Sequence, residues 1–174
     1  MLVRMSVIAI SALASVARGR YVRASGILRS VSPLESLFGE EHLLGYNVAC
    51  SIFVGEPPSY ASTAHVVRWS DAVLEDETGE LLVSLARSTV RAPAGVERTL
   101  HGRDAIARAL TALELTCEPP TQLQILERGM PDGRRVTITG LLHDEAGAAD
   151  FRRSAKPRLT LRGDRRRPIV IAPG

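Results

Sequence analysis

The densest group of side chains able to do chemistry lies in the segment "LRGDRRRP". Arg162, Arg165, Arg166 and Arg167 there surround a single acid, Asp164. Three consecutive arginines cannot all pair with one carboxylate, and free guanidinium groups hold phosphate oxygens through two parallel hydrogen bonds. The simplest interpretation of the segment is a solvated turn whose charges prevent sheet edges from aggregating. The functional alternative that the density of arginines predicts is a positively charged binding surface.

The sequence contains no compact catalytic motif. The patterns GxSxG and HExxH and the phosphate-binding Walker loop are all absent. A hydrolase site would have to be assembled from separated residues such as Ser62, His65 and Asp71, which no local pattern supports. We therefore predict that the protein is not an enzyme. The acidic residues between Asp71 and Glu80 could hold a cation, but they are more typical of a solvated hairpin.

The cysteines and histidines do not have the spacing of a metal site. Cys50 and Cys117 form no CxxC pair, and the four histidines are scattered along the chain. Structural zinc sites need closely spaced ligands, so the sequence predicts no metal and no cofactor. Cys50 lies in an apolar, alternating segment, which predicts a buried, reduced thiol.

Size and composition indicate one globular domain. The 174 residues are 45% apolar and 24% charged, and the net charge of +3 is too small to indicate nucleic-acid binding by itself. Residues 1–18 include an apolar run that is too short to cross a bilayer, which takes ~20 residues. This segment is predicted to be a short helix against the fold or, alternatively, a signal peptide in residues 1–17. Residues 19–174 are predicted to form a single β domain.

Alternation of apolar and polar residues dominates the chain after Gly19 and indicates β-strands. A helix is predicted at about 104–116, where Asp104 can cap the first turn. The tetrad DETG, residues 76–79, predicts a tight hairpin turn in which Gly79 has a positive φ. The predicted fold class is mainly β: a small antiparallel barrel or sandwich, OB-like, with one or two peripheral helices. Strands are expected at 20–29, 43–54, 64–75, 80–86 and within 122–144, with a loop at 55–63 and a final hairpin at 157–173.

One loop-like segment, "SPLESLFGEEHLLGY", is unusually apolar. Leu34 and Leu43 are predicted to plug one mouth of the barrel, because most apolar residues in compact loops belong to a small extension of the core. The alternative interpretation is that Leu37 and Phe38 form a tip that docks a protein partner.

Four pieces of the sequence occur together in one order: "VRASGILRSVSPLES", "VLEDETGELLVSL", "LERGMPDGRRVTITG" and "RRPIVIAP", with Tyr46 between the first two. In this order they resemble the GIDE domain, also called the beside-a-membrane (BAM) domain, of mulan-type mitochondrial ubiquitin ligases and their prokaryotic relatives. The resemblance covers roughly residues 20–172. It implies a binding and regulatory platform near membranes. It does not imply ligase activity, because two cysteines cannot build a two-zinc RING and no second hydrophobic span is present.

Together these observations predict a non-catalytic protein-interaction or regulatory module of GIDE type that acts near a membrane surface. The predicted partners are an unidentified protein and anionic lipid headgroups, with Leu37, Phe38, Arg162 and residues 165–167 as the binding residues. The alternative is an OB-like barrel that binds oligonucleotides or other polyanions. The arginine-rich composition, with Lys156 as the one lysine, indicates a bacterial protein. It is predicted to be cytoplasmic or membrane-associated, or periplasmic or secreted if a signal peptide is cleaved.

Overall fold

The computed structural model describes residues 5–37, 42–86, 88–91, 96–117, 120–144 and 159–174. In these ranges a 3-10 helix lies at Ile10–Ser15 and an α-helix, α1, at Arg103–Leu113. The strands, in chain order, are β1 Tyr21–Ser30, β2 Leu34–Glu35, β3 His42–Val54, β4 Ser59–Trp69, β5 Ala72–Asp76, β6 Gly79–Val83, β7 Val90–Arg91, β8 Val96–His101, β9 Gln122–Pro131, β10 Arg134–Asp144, β11 Leu159–Arg162 and β12 Ile169–Pro173.

Five strands close into a small barrel in the order β1-β5-β6-β11-β10, and β10 pairs back to β1. Every pairing in this ring is antiparallel except that between β6 and β11, which run parallel. The prediction of a mainly antiparallel β fold with a small barrel and peripheral helices is therefore confirmed.

The barrel core is built by the alternation that the sequence showed. In β1, every second residue from Val22 to Leu28 is buried, as expected for a strand with one face inward. The 3-10 helix adds Leu13, which is fully buried in the same core. Leu44, from the start of β3, also enters the barrel.

β11 and β12 do not pair with each other, so the predicted hairpin at 157–173 is wrong. Arg162 of β11 lies opposite Leu141 of β10, and Val170 of β12 lies opposite Thr139 of the same strand. The two short strands therefore run in the same direction along one edge of β10. They form one strand that is interrupted by residues 163–168, which loop out near the position opposite Gly140.

A second sheet has the order β2-β3-β9-β8, with β4 also paired to β3. Helix α1 covers one face and buries Ile106, Ala109 and Leu113 in the same core as Val48 and Ile125. The helix predicted near 104–116 is confirmed. The predicted capping role of Asp104 is wrong: the N-cap is Gly102, with φ 91°, and no side chain caps the first turn.

The β5–β6 hairpin forms as predicted, and Gly79 has a φ of 156° and pairs with Asp76. The predicted limits of its strands need correction. The predicted strand 64–75 divides at Ser70–Asp71, since β4 belongs to the second sheet and β5 to the barrel. The predicted loop at 55–63 is shorter, because β4 begins at Ser59.

Candidate functional site

The predicted arginine cluster lies on the loop of residues 163–168, which we call the arginine turn. Asp164 organises this loop: its Oδ1 accepts hydrogen bonds from the backbone N–H groups of Arg166, at 2.8 Å, and Arg167, at 2.6 Å. The backbone N–H of Asp164 in turn donates to the carbonyl oxygen of Arg167, at 2.9 Å. An Asp that closes a turn through its own side chain is a common local device, and here it fixes the backbone that carries all three arginines.

Both ends of the arginine turn are fixed to the barrel. The Tyr21 hydroxyl donates to the Pro168 carbonyl oxygen at 2.5 Å, and the Gly163 N–H donates to Ser88 Oγ at 2.9 Å. The Ile169 N–H donates to a backbone carbonyl at 2.9 Å. A Cβ at Gly163 would lie 2.4 Å from the Ile169 nitrogen, so the close approach of the two ends requires glycine there. The turn is therefore held by the barrel and presented outward.

The Asp164 carboxylate is held mainly by the backbone, with a smaller attraction to the side-chain charges of Arg167 and Arg166. Hydrogen bonds from the backbone N–H groups of Arg167 and Arg166 hold the pKa of Asp164 below its usual value. Arg162 and residues 165–167 are exposed. The ion pairs found in the described parts of the chain use other arginines, which are Arg18, Arg29 and Arg68. The arginine turn thus carries a local positive charge that none of the described carboxylates neutralises by an ion pair.

The apolar segment that begins at Pro33 belongs to the second sheet. Leu34 pairs with Leu43 between β2 and β3, and both pack in the core beneath α1. The prediction that they plug a barrel mouth is therefore wrong; Leu44 enters the barrel instead. Leu37 is half-buried against the core under α1, and the other predicted docking residue, Phe38, lies outside the described residues.

A groove of about 620 Å³ runs between residues 33–37 and helix α1. Tyr46 and Arg68 line it, and Arg108 lies on the helix side. Arg68 is bound to the Glu114 carboxylate at 2.9 Å, which ties the end of α1 to β4. Burial raises the pKa of the Tyr46 hydroxyl, and the positive charge of Arg68 opposes this only in part. The polar floor of the groove is therefore engaged within the protein itself.

Glu127 is a further buried polar residue of the second sheet that sequence reasoning missed. Its side chain is 5% exposed, and its Oε2 accepts a 3.3 Å hydrogen bond from Ser36 Oγ. In β9 it continues the inward-facing positions of Leu123 and Ile125. The sequence did carry a signal for it: Glu127 is a charged residue at an inward position of an alternating strand. Charged residues are rarely buried without a partner, so this position indicated a buried, hydrogen-bonded carboxylate.

The acidic run at 71–80 is used for folding rather than gathered around a cation. Asp76 Oδ1 accepts from the Thr78 N–H, the Thr78 hydroxyl and the Gly79 N–H, at 2.7, 2.6 and 3.0 Å. Its Oδ2 accepts from the Ile10 N–H at 2.9 Å. In the described part of the chain, no three His, Cys, Asp or Glu side chains are grouped to hold a metal. The prediction for Cys50 is confirmed: it is buried and free.

The structure does not bring together Ser62, His65 and Asp71. Ser62 and His65 are three residues apart on β4, so their side chains point to opposite faces of the sheet. Asp71 lies beyond the strand and accepts a 3.0 Å hydrogen bond from the Ala86 N–H. No nucleophile and base pairing results from these three residues.

Comparison with protein-family models, with curated proteins and with solved structures finds no match for this chain. Within the ranges that the structure describes, no helix has the length and apolar character needed to cross a bilayer.

Proposed function

We propose that this protein is a non-catalytic interaction module of GIDE type that docks on an anionic membrane surface through the arginine turn. The observation that carries the proposal is the use of the Asp164 carboxylate by backbone N–H groups, which leaves the guanidinium groups of residues 165–167 for a ligand. Each basic side chain that reaches an anionic leaflet contributes about 1 kcal/mol to binding. A preformed turn also lowers the entropy cost of placing three such side chains together.

The proposed relation to GIDE domains rests on the order of four sequence pieces, and the structure shows where those pieces lie. The pieces that carry the resemblance include β1, the β5–β6 hairpin, β10 and β12, which all lie in the barrel or pair with it. We further propose that the barrel is OB-like. If the five barrel strands are numbered in chain order, their order around the ring is 1-2-3-5-4, which corresponds to β1-β5-β6-β11-β10. Strands 3 and 5 of this numbering, β6 and β11, are the parallel pair.

Lipid phosphate is favoured over nucleic acid by the charges on the barrel. OB barrels bind single strands on the face of their second and third strands, which here are β5 and β6. Glu75 and Glu80 are exposed and directly opposite each other on these strands, and Arg29 forms an ion pair with Glu75 alone, so the charge of Glu80 disfavours a polyanion on this face. Base stacking needs exposed rings. The exposed ring of Tyr60 lies instead on β4 of the second sheet, where it meets Phe53 edge-on.

Partition of the wild-type protein between three ligands tests the proposal. The ligands are vesicles with about 30% phosphatidylserine, neutral phosphatidylcholine vesicles and a single-stranded oligonucleotide, all at low salt. We expect sedimentation with the anionic vesicles only. Binding to neither kind of vesicle would refute membrane docking, and tighter binding to the oligonucleotide would establish the alternative polyanion-binding function.

A further inference from the structure

We propose that β4 is a self-pairing edge strand, through which two copies of this chain join their second sheets in a symmetric antiparallel dimer. This inference is independent of the arginine turn and of membrane docking. Edge strands present unpaired backbone N–H and C=O groups that can accept another strand, and pairing of identical edges generates a closed dimer with a two-fold axis.

The free edge of β4 is long. The strand has eleven residues and pairs along one side with β3. Among the described residues, no second strand pairs with it and no backbone hydrogen bond outside the β3 ladder reaches residues 59–69. The irregularity in its pairing falls at Ile52 and Phe53 of β3, near one end, so the pairing register is continuous from Ser62 to Trp69. A regular edge of this length is a template for strand addition.

β4 has only one of the features that protect edge strands, the bulge at Ala61 near its start. It contains no proline, and its one fully charged residue, Arg68, stands next to its end. Natural edges normally carry lysines, prolines or bulges that prevent further pairing. Tyr60 and Val67 are 62% and 57% exposed, and they are two of the four large apolar residues that are exposed in the described part of the chain. Such exposure along a strand with a single charged residue indicates a surface that another strand covers.

The strand is complementary to itself about Ala64. Antiparallel pairing centred there brings Tyr60 beside Val67 of the other copy, across the bulge at Ala61. Both side chains lie on the uncovered face, since Tyr60 pairs with Phe53 and its hydroxyl is hydrogen-bonded to the Thr63 hydroxyl at 2.9 Å. An aromatic ring beside a β-branched side chain is a favourable cross-strand contact. From Ser62 to Val66 the two numbers in each pair have the same parity, so opposite residues lie on the same face of the joined sheet. The two second sheets then form one continuous sheet with both helices on one side.

The other pairs are also compatible. Thr63 lies opposite His65 on the uncovered face, and Ser62 lies opposite Val66 on the face that α1 covers. No like charges face each other in this register, whereas directly opposed like charges would destabilise it. A peptide from another protein would meet the same backbone groups, but this mutual fit of side chains is specific to a second copy.

Two double variants with matched positions test the pairing. In the symmetric dimer, residue 63 of each copy lies opposite residue 65 of the other. The double variant Thr63→Glu with His65→Glu therefore places two carboxylates opposite each other at both of these positions. Thr63→Glu with His65→Lys sets opposite charges there instead. Both positions are exposed, and their β3 partners, Ser51 and Ala49, are uncharged, so both variants should keep the monomer fold. Circular dichroism verifies this, and sedimentation equilibrium over about 1–500 µM covers the range of a small interface.

We expect the wild-type protein and the Glu/Lys variant to dimerise reversibly. The Glu/Glu variant should dimerise at least about tenfold more weakly than the Glu/Lys variant. A wild-type protein that stays monomeric throughout the range would overturn the proposal. Equal dimerisation of the two variants would also overturn it, since the dimer would then use another surface, and so would loss of the dimer in the Glu/Lys variant.

Discussion

The backbone N–H of Ile10 donates a 2.9 Å hydrogen bond to Oδ2 of Asp76, which ties the N-terminal 3-10 helix to the turn of the β5–β6 hairpin. The other oxygen of the same carboxylate holds the turn itself through Thr78 and Gly79. One side chain therefore positions both the hairpin and the helix that carries Leu13 into the barrel core. Ile10 and Asp76 are 66 positions apart in the sequence, so this hydrogen bond stabilises tertiary rather than local structure.

Asp76→Asn should destabilise the fold by about 1–3 kcal/mol at pH 7, because the amide keeps one acceptor oxygen and loses the other. Urea unfolding measures the change in the free energy of unfolding. Glu77→Gln is the control: Glu77 is the exposed neighbour in the same turn, and its substitution should leave stability nearly unchanged.

The pKa of Asp76 also predicts how that difference depends on pH. Burial by itself raises this pKa, but the hydrogen bonds from Thr78, Ile10 and Gly79 outweigh it and the net shift is downward. The ionised carboxylate therefore stabilises the fold fully when the pH is above the pKa of Asp76 in the unfolded chain, which is about 4. This stabilisation is lost as the pH falls through the lower pKa that Asp76 has in the folded protein. The difference in the free energy of unfolding between the wild type and Asp76→Asn should become smaller below about pH 4. A gap that is constant down to pH 3 would contradict the assigned bonds.

Gly45→Ala should destabilise the protein by about 1–3 kcal/mol, because it forces two packed groups apart. A Cβ at this position would lie 2.2 Å from Cε3 of Trp69, whose ring covers the glycine across the β3–β4 pair. A double-mutant cycle with Trp69→Leu checks the cause. The two substitutions together should cost less than the sum of their separate costs, and strict additivity would show that the ring is not the obstacle.

Asp164 should matter through the shape of the arginine turn and not through its charge. Asp164→Asn keeps an oxygen that can accept from the N–H groups of residues 166 and 167, whereas Asp164→Ala removes it. Both substitutions remove the same negative charge. Vesicle titration should show that the alanine variant binds anionic vesicles several-fold more weakly than the asparagine variant. Equal affinities would mean that charge alone governs binding and that the preformed turn is irrelevant.

The parts of the fold that sequence reasoning predicted correctly are those that local patterns determine. Helix α1 follows from the spacing of Ile106, Ala109 and Leu113, and the hairpin at Gly79 from its turn residues. The division into a barrel and a second sheet depends on which strands pair over long distances, and alternation carries no information about partners. The interrupted strand β11–β12 was missed for the same reason. The binding role of the arginines stays a prediction, and the role of Asp164 in shaping the turn could be seen only from the backbone.

Vesicle sedimentation of two triple variants tests whether residues 165–167 bind an anionic surface. Arg165, Arg166 and Arg167 are changed to Gln in one variant. Arg103, Arg128 and Arg134, which are exposed but dispersed, are changed to Gln in the other, so both proteins have the same net charge. We expect the first variant to lose on the order of 100-fold in affinity for phosphatidylserine vesicles, since three contacts of about 1 kcal/mol are removed. The second variant should bind nearly as the wild type does. Equal affinities of the two variants would show that the arginine turn is not the membrane-binding surface.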